Sequence, residues 1–226
     1  MAKVFIGVGH GGSDSGAVGN NLKEKDLNLS IALACDEELK RHGVKTLLSR
    51  YTDQNDSISE EIKECNAYAP DIAVDIHNNA GGGDGCEVFY THKGGTGKTL
   101  AYNINAGMLE VGQNSRGIKT KTTALGKDYY AFIRETTAPA VIVECAFIDN
   151  AKDITIIDTL AEQKAMGKAI AKGILKTLNI KYKATEEATG SSLYRVIVGA
   201  YKLKSNADKA LEKAKALGFT DAYIIK

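Results

Sequence analysis

The chain has 226 residues, 43% hydrophobic and 25% charged, enough to bury one medium domain with a small appendage. A formal net charge of +1 argues against nucleic acid as the main partner, although residues 181–226 hold nine Lys/Arg against five Asp/Glu and leave the body mildly anionic. No apolar run approaches the roughly 18 to 20 residues of a membrane span, no signal-peptide cleavage pattern follows the first lysine, and Cys35, Cys65, Cys86 and Cys145 form no C-x-x-C pair, so buried reduced thiols in a protein made in the cytosol are expected.

The chain opens with KVFIGVGHGGSD, in which Val4, Phe5, Ile6 and Val8 suit a buried strand that ends near Gly9 and leaves His10 on a glycine turn. Gly7, Gly9 and Gly12 also match the dinucleotide fingerprint G-x-G-x-x-G. That reading fails because a polar run separates them from any helical period and the second strand ends in Arg50, not in an acid. Helical spacing follows over residues 26–42, stopped by Gly43, then a strand over 44–49, a polar loop over 53–57 and a helix over Ile58–Tyr68 closed by Pro70. Residues 72–77, IAVDIH, form another strand, followed by Asn78, Asn79, Ala80 and three glycines; strand, histidine and glycine turn recur. Residues 87–91 suit a short strand and 100–111 a helix, and 112–130 read as a long polar loop of the kind that forms a lid or binding surface. Pro139 leads into AVIVE, a buried strand over 140–144 that ends in Glu144, and residues 160–178 make the closing helix. Strands alternating with helices predict an α/β fold, an open, mostly parallel twisted sheet flanked by helices.

Open sheets of this kind hold ligands outside the carboxyl ends of their strands. His10, His77 and Glu144 each follow the last apolar residue of a strand, so three parallel neighbouring strands would bring them to one edge. A catalytic zinc takes three protein ligands and leaves a fourth position to water. Two histidines are in hand; the third ligand is a carboxylate or thiolate among Asp14, Glu24, Asp26, Glu87, Glu144 and Cys145, and spacing does not choose among them.

The runs GHGGSDSGAVGNNLKEKDLNLSIA, VDIHNNA and APAVIVECAFIDN, in that order, resemble the zinc-dependent N-acetylmuramoyl-L-alanine amidases of bacterial cell-wall hydrolases and phage endolysins, over residues 3–178. The resemblance implies Zn2+ bound by His10, Glu24 and His77, with Glu144 as the catalytic base in hydrolysis of the muramoyl–L-alanine amide of peptidoglycan. With no visible signal peptide, it also implies a phage or prophage endolysin or an autolysin, made in the cytoplasm and acting on the wall after release, with a spore-mother-cell enzyme as the alternative. Two positions depart from the family: the second helix reads SEEIKECNAY where an arginine is common, and Cys145 stands where glycine is usual. A cysteine hydrolase built on Cys145 and His77 is the rival within this site, and a thiol on a buried strand argues against it. The rival from another class is KGGTGKT, Lys93 to Thr99, which resembles the deviant phosphate loop of partitioning ATPases. It lies mid-chain after a polar-laced strand and reads as a flexible surface loop rich in Gly and Thr.

Residues 179–192 have the composition of a linker. Beyond them LYRVIVGAY suits a strand, Ser205 the N-cap of a helix running to about Leu217, Gly218 its end, and AYII a second strand. Residues 193–226 thus resemble half of a SPOR domain, a small βαβ module that binds peptidoglycan. Two strands and one helix bury little on their own, so the tail is expected to pair with a second copy and make a homodimer, or to dock on the body. Tyr201 is the aromatic expected to touch glycan.

Overall fold

The computed structural model describes residues 1–184, 199–219 and 222–224. In chain order the elements are β1 (Lys3–Val8), the short strands β2 (Val18–Gly19) and β3 (Leu22–Lys23), α1 (Glu24–Arg41), β4 (Lys45–Leu48), α2 (Ile58–Tyr68), β5 (Ile72–Asn79), β6 (Cys86–Tyr90), α3 (Gly95–Glu110), β7 (Ser115–Lys119), α4 (Ala131–Glu135), β8 (Ala140–Phe147), α5 (Ala151–Ile154), α6 (Leu160–Thr177) and α7 (Lys204–Ala216). They fall into two compact units, Met1–Lys183 and Ala184–Lys226.

In the first unit six strands form one sheet in the order β4-β1-β5-β8-β6-β7. The first four are parallel neighbours, as alternation of strands and helices predicts; β6 runs antiparallel to β8 and carries β7 parallel beside it. Period-2 alternation gives each inner strand two buried faces. One face carries Val4, Ile6, Val74, Ile76, Val141 and Val143 under α1, α3 and α6. The other carries Phe5, Ala73, Ile142 and Phe89 under α2 and α4. Both α2 and α6 start on capping boxes, Ser57 with Glu60 and Thr159 with Glu162.

Several expectations need correction. The first helix begins at Glu24, two residues earlier than its period suggests, directly after the β2–β3 hairpin, whose turn residues Asn20 and Asn21 are left-handed at φ 50° and 62°. Strands two residues long leave no hydrophobic period to read. The polar loop expected over residues 112–130 contains β7, whose side chains are half-buried or exposed, as suits a sheet edge. The glycine-rich run at Lys93 to Thr99 is no flexible loop: Gly94, at φ 80°, caps α3, and Gly95 to Thr99 are its first turn. Because β6 runs against β8, that turn lies at the opposite edge of the sheet from the ends of β1, β5 and β8.

In the second unit α7 begins after Leu203, not Ser205, and closes where Gly218 turns left-handed at φ 99°. Residues 222–224 form no strand with any described residue. The expected strand LYRVIVGAY lies outside the described residues up to position 198, and the expected linker does so from 185. No helix among the described residues is long and apolar enough to cross a membrane.

Candidate active site

At the end of β1 the backbone turns sharply. His10 sits at φ 63°, and Gly11 and Gly12 continue with positive φ, which lifts the imidazole off the strand. A buried guanidinium holds this turn: Arg50 donates to the carbonyls of Val8 at 3.0 Å, Gly9 at 3.2 Å and Lys25 at 2.7 Å. Lys25 adds bonds to the Gly12 carbonyl at 2.8 Å and to Asp53 at 2.7 Å.

Glu24 is the first residue of α1, where a carboxylate is favoured by the helix dipole. Its Oε2 accepts from the Ala17 N–H at 2.9 Å and lies 3.2 Å from His10 Nε2. Its Oε1 accepts from the Asn78 N–H at 3.1 Å and lies 3.0 Å from His77 Nδ1. Asn28 steadies the group by donating to the Gly9 carbonyl at 2.9 Å and accepting from Asn78 at 2.9 Å. The two imidazole rings stand 5.1 Å apart and nearly perpendicular, with side chains 26% and 22% exposed. Gly9 and Gly16 have no side chain because one would run into the His77 and His10 rings.

Each histidine also has a carboxylate on its far nitrogen. Asp14 Oδ2 is 2.8 Å from His10 Nδ1, and Asp75 Oδ2 is 3.2 Å from His77 Nε2. A carboxylate only accepts, so each ring nitrogen that faces one carries a proton in the metal-free chain; a metal ion would displace the protons on His10 Nε2 and His77 Nδ1, which face Glu24, and leave those toward Asp14 and Asp75. Among the described residues one donor atom each from His10, Glu24 and His77 come within 4.8 Å of one another. Two imidazoles and a carboxylate, each ring backed by an acceptor, fit a zinc ion. Burial works against ionisation of Glu24, but hydrogen bonds from the two histidines outweigh it and hold the carboxyl well below the ordinary range. A cation there would displace protons from the rings, so its hold weakens in acid.

Glu144 is aligned with His77 in the β5–β8 register and with Glu87 in the β6–β8 register, so three side chains of one sheet face come together. The two glutamates differ sharply in surroundings. Glu87 bonds Lys119 at 2.6 Å and also Arg116, and although burial opposes it, these cations hold its carboxyl low. Among the described residues Glu144 has no such partner; its Oε2 is buried without a hydrogen bond, and burial, countered by His77, pushes its carboxyl up to about 7. Facing acids with opposed environments are how one of a pair becomes a proton carrier near neutrality.

Of the other candidates for a third ligand, Asp14 serves His10 from behind, Asp26 is exposed, and Glu87 is tied to its cations. Cys145, next to Glu144 on β8, points into the opposite core, fully buried with its thiol pushed well up by burial, which removes it as a partner of His77. All four cysteines are free and buried. The sequence reading missed the supports Asp75, Asn28, Asn78 and Arg50. Asp75 alone had a readable signal: it lies two residues before His77 on a strand, hence on the same face.

A histidine–carboxylate cluster beside an acid with no cationic partner among the described residues, at the carboxyl ends of parallel strands, is the equipment of a metal-assisted hydrolase. Residues 4–176 match the N-acetylmuramoyl-L-alanine amidase family, to which this chain belongs. Residues 167–226 match the SPOR domain, a match that starts within α6 and so overlaps the first unit. The chain is 36% identical over 230 residues to the sporulation-specific N-acetylmuramoyl-L-alanine amidase of Bacillus subtilis, covering 100% of this chain and 86% of that protein. It is 31% identical over 190 residues to the endolysin of Bacillus phage SPP1, covering 80% of this chain and 68% of the endolysin. The catalytic domain of CwlV, an N-acetylmuramoyl-L-alanine amidase from Bacillus (Paenibacillus) polymyxa, superposes with a TM-score of 0.72 at 30% identity, over 80% of this chain and 100% of that domain.

Proposed function

We propose that the chain is a zinc-dependent amidase that hydrolyses the bond between N-acetylmuramic acid and the L-alanine of the stem peptide in bacterial peptidoglycan. The observation that carries the reading is Glu144: a half-buried carboxylate beside His77 whose Oε2 is buried with no hydrogen-bond partner among the described residues, facing a Glu87 whose charge Lys119 and Arg116 already balance. His10, Glu24 and His77 would hold the zinc, which when bound polarises an amide carbonyl and lowers the pKa of water. Glu144 takes a proton from the attacking water as the new C–O bond forms, then gives it to the alanine nitrogen as the C–N bond breaks. The products are a lactyl carboxylate and a free amino terminus, with no covalent enzyme intermediate. Asp14 and Asp75 keep the two imidazoles in the tautomers this arrangement requires.

The same proposal has the protein made in the cytoplasm and acting on the wall after release, as an endolysin or autolysin. The sporulation-specific and phage relatives support it. The second unit would bind glycan and pair with a second copy. The SPOR match and the exposed apolar residues Leu203, Leu217 and Phe219 support this; sedimentation of a clean monomer would oppose the pairing. For the reaction itself, purified peptidoglycan is digested and new L-alanine amino termini and new reducing sugar ends are assayed separately, with a chelated sample alongside. Alanine termini alone, abolished by chelator, are expected; reducing ends without alanine termini would refute the amidase.

A further inference from the structure

Beyond Glu87, the sheet face that carries Glu144 continues to Phe89, and Tyr130, just before α4, packs its ring against Phe89 with centroids 4.9 Å apart. Burial first, then the charges of Glu144 and Glu87, push the Tyr130 hydroxyl up, so this side chain borders the active site. Residues 115–127 carry Arg116, Lys119, Lys121 and Lys127 and no acid, a cationic stretch on a mildly anionic body. Arg116 and Lys119 are both paired with Glu87. Lys121 is different. It is exposed, its ammonium lies over the rings of Tyr129 at 3.9 Å and Tyr130 at 5.6 Å, and no carboxylate among the described residues pairs with it. Its backbone is held in place, because the Lys121 carbonyl accepts from the Tyr129 N–H at 2.9 Å. Asp128 ties the same turn to the end of β6, accepting from the Thr91 hydroxyl at 2.8 Å and the His92 N–H at 2.9 Å. Arg134 clamps it from the other side, donating to the carbonyls of Asp128 at 2.9 Å and Tyr129 at 2.8 Å.

A cation seated on two aromatic faces closes them to a stacking sugar and leaves its own outer side for an anion. In intact peptidoglycan the glycan is neutral, whereas the stem peptide carries carboxylates. The carboxylate of the residue that follows L-alanine lies within about 7 Å of the scissile amide, two residues of extended chain. Tyr130 links the two positions, with its ring beneath the Lys121 ammonium and its hydroxyl under the charge of Glu144. We propose that Lys121, seated on Tyr129 and Tyr130, binds the carboxylate of the stem residue that follows L-alanine, so that the protein selects stem peptides in which this carboxyl is free. The clamped turn holds the ammonium in place before the peptide arrives, which lowers the ordering cost of binding. This role for Lys121 rests on the amidase reading above, and its test separates the two.

Two soluble substrates are compared: muramoyl-L-alanyl-D-glutamic acid with only its side-chain carboxyl amidated, and the same molecule with both carboxyls amidated, so that they differ by one carboxylate. For each, kcat/KM is measured on the wild type, Lys121→Ala and Lys121→Arg, with the Tm of every variant alongside. The wild type should prefer the free acid about 5 to 20-fold, chiefly through KM, and the preference should shrink as salt is raised. Lys121→Ala should bring the ratio to about one, and Lys121→Arg should keep most of it. Calorimetric binding of both molecules to chelator-treated protein reads the same ratio without turnover. A wild-type ratio near one, or a ratio unmoved in Lys121→Ala, would overturn the role of Lys121 and leave the amidase standing. Lys121→Ala that loses retention only on walls rich in phosphate polymers, with its ratio unmoved, would give the lysine to those polymers instead. A wild type that cleaves neither substrate nor peptidoglycan would overturn the amidase reading and this role with it.

Discussion

Glu87 and Glu144 carry the same side chain on facing strands, and their neighbours decide what each can do. Lys119 and Arg116 fix the first as a permanent anion, while the second keeps a carboxyl that titrates near 7, against 4.5 for an unperturbed glutamate. Because its folded value is raised, Glu144 contributes stability that is fully present below about pH 4.5 and is lost as pH rises through about 7. Metal-free Glu144→Gln cannot ionise and should gain stability on the wild type as pH rises through that window. Denaturant unfolding of both at a series of pH values checks this, and a gap that stays constant would contradict it. His10, His77 and Glu144 were readable in the sequence because each ends an apolar run, and glycines follow both histidines. Glu24 was not: its position in a polar run gave six equal candidates, and only the resemblance singled it out. Arg50 and Asn28 work through contacts across 19 to 50 positions of chain, which no local pattern reports.

The helices on the larger face meet through glycines. A Cβ on Gly173 of α6 would stand 2.5 Å from Ile104 Cα of α3, and one on Gly167 would stand 2.7 Å from Ala34 Cβ of α1. Backbone cannot give way there as a flexible side chain can, so Gly173→Ala should overpack the layer and cost about 1 to 3 kcal/mol. A lowered Tm with unchanged zinc content is expected; an unchanged Tm would show that α3 and α6 can separate freely. Strands β1, β5 and β8 were legible because both their faces are buried and their runs are continuous. The pieces that escaped were β2, β3, β7 and the short helices α4 and α5, too short or too polar to show a period, and the start of α3, where glycines masked the helix.

At the scale of the whole molecule, the strand order β4-β1-β5-β8 is what brings residues 10, 77 and 144 together, and the parallel sense of those strands was legible from their alternation with helices. The first unit has its own core in residues up to 183. A chain ending there should turn over a soluble muramoyl-peptide at the full-length rate and lose retention on insoluble peptidoglycan in a pull-down. Equal retention would remove the second unit from wall binding. The most direct test of the account is zinc content and turnover measured on one preparation of Glu144→Gln beside the wild type. One zinc per chain is expected in both, with a fall in turnover of about 100 to 10,000-fold in the variant, the usual worth of a general acid–base group. Wild-type turnover in Glu144→Gln, with its zinc in place, would contradict it.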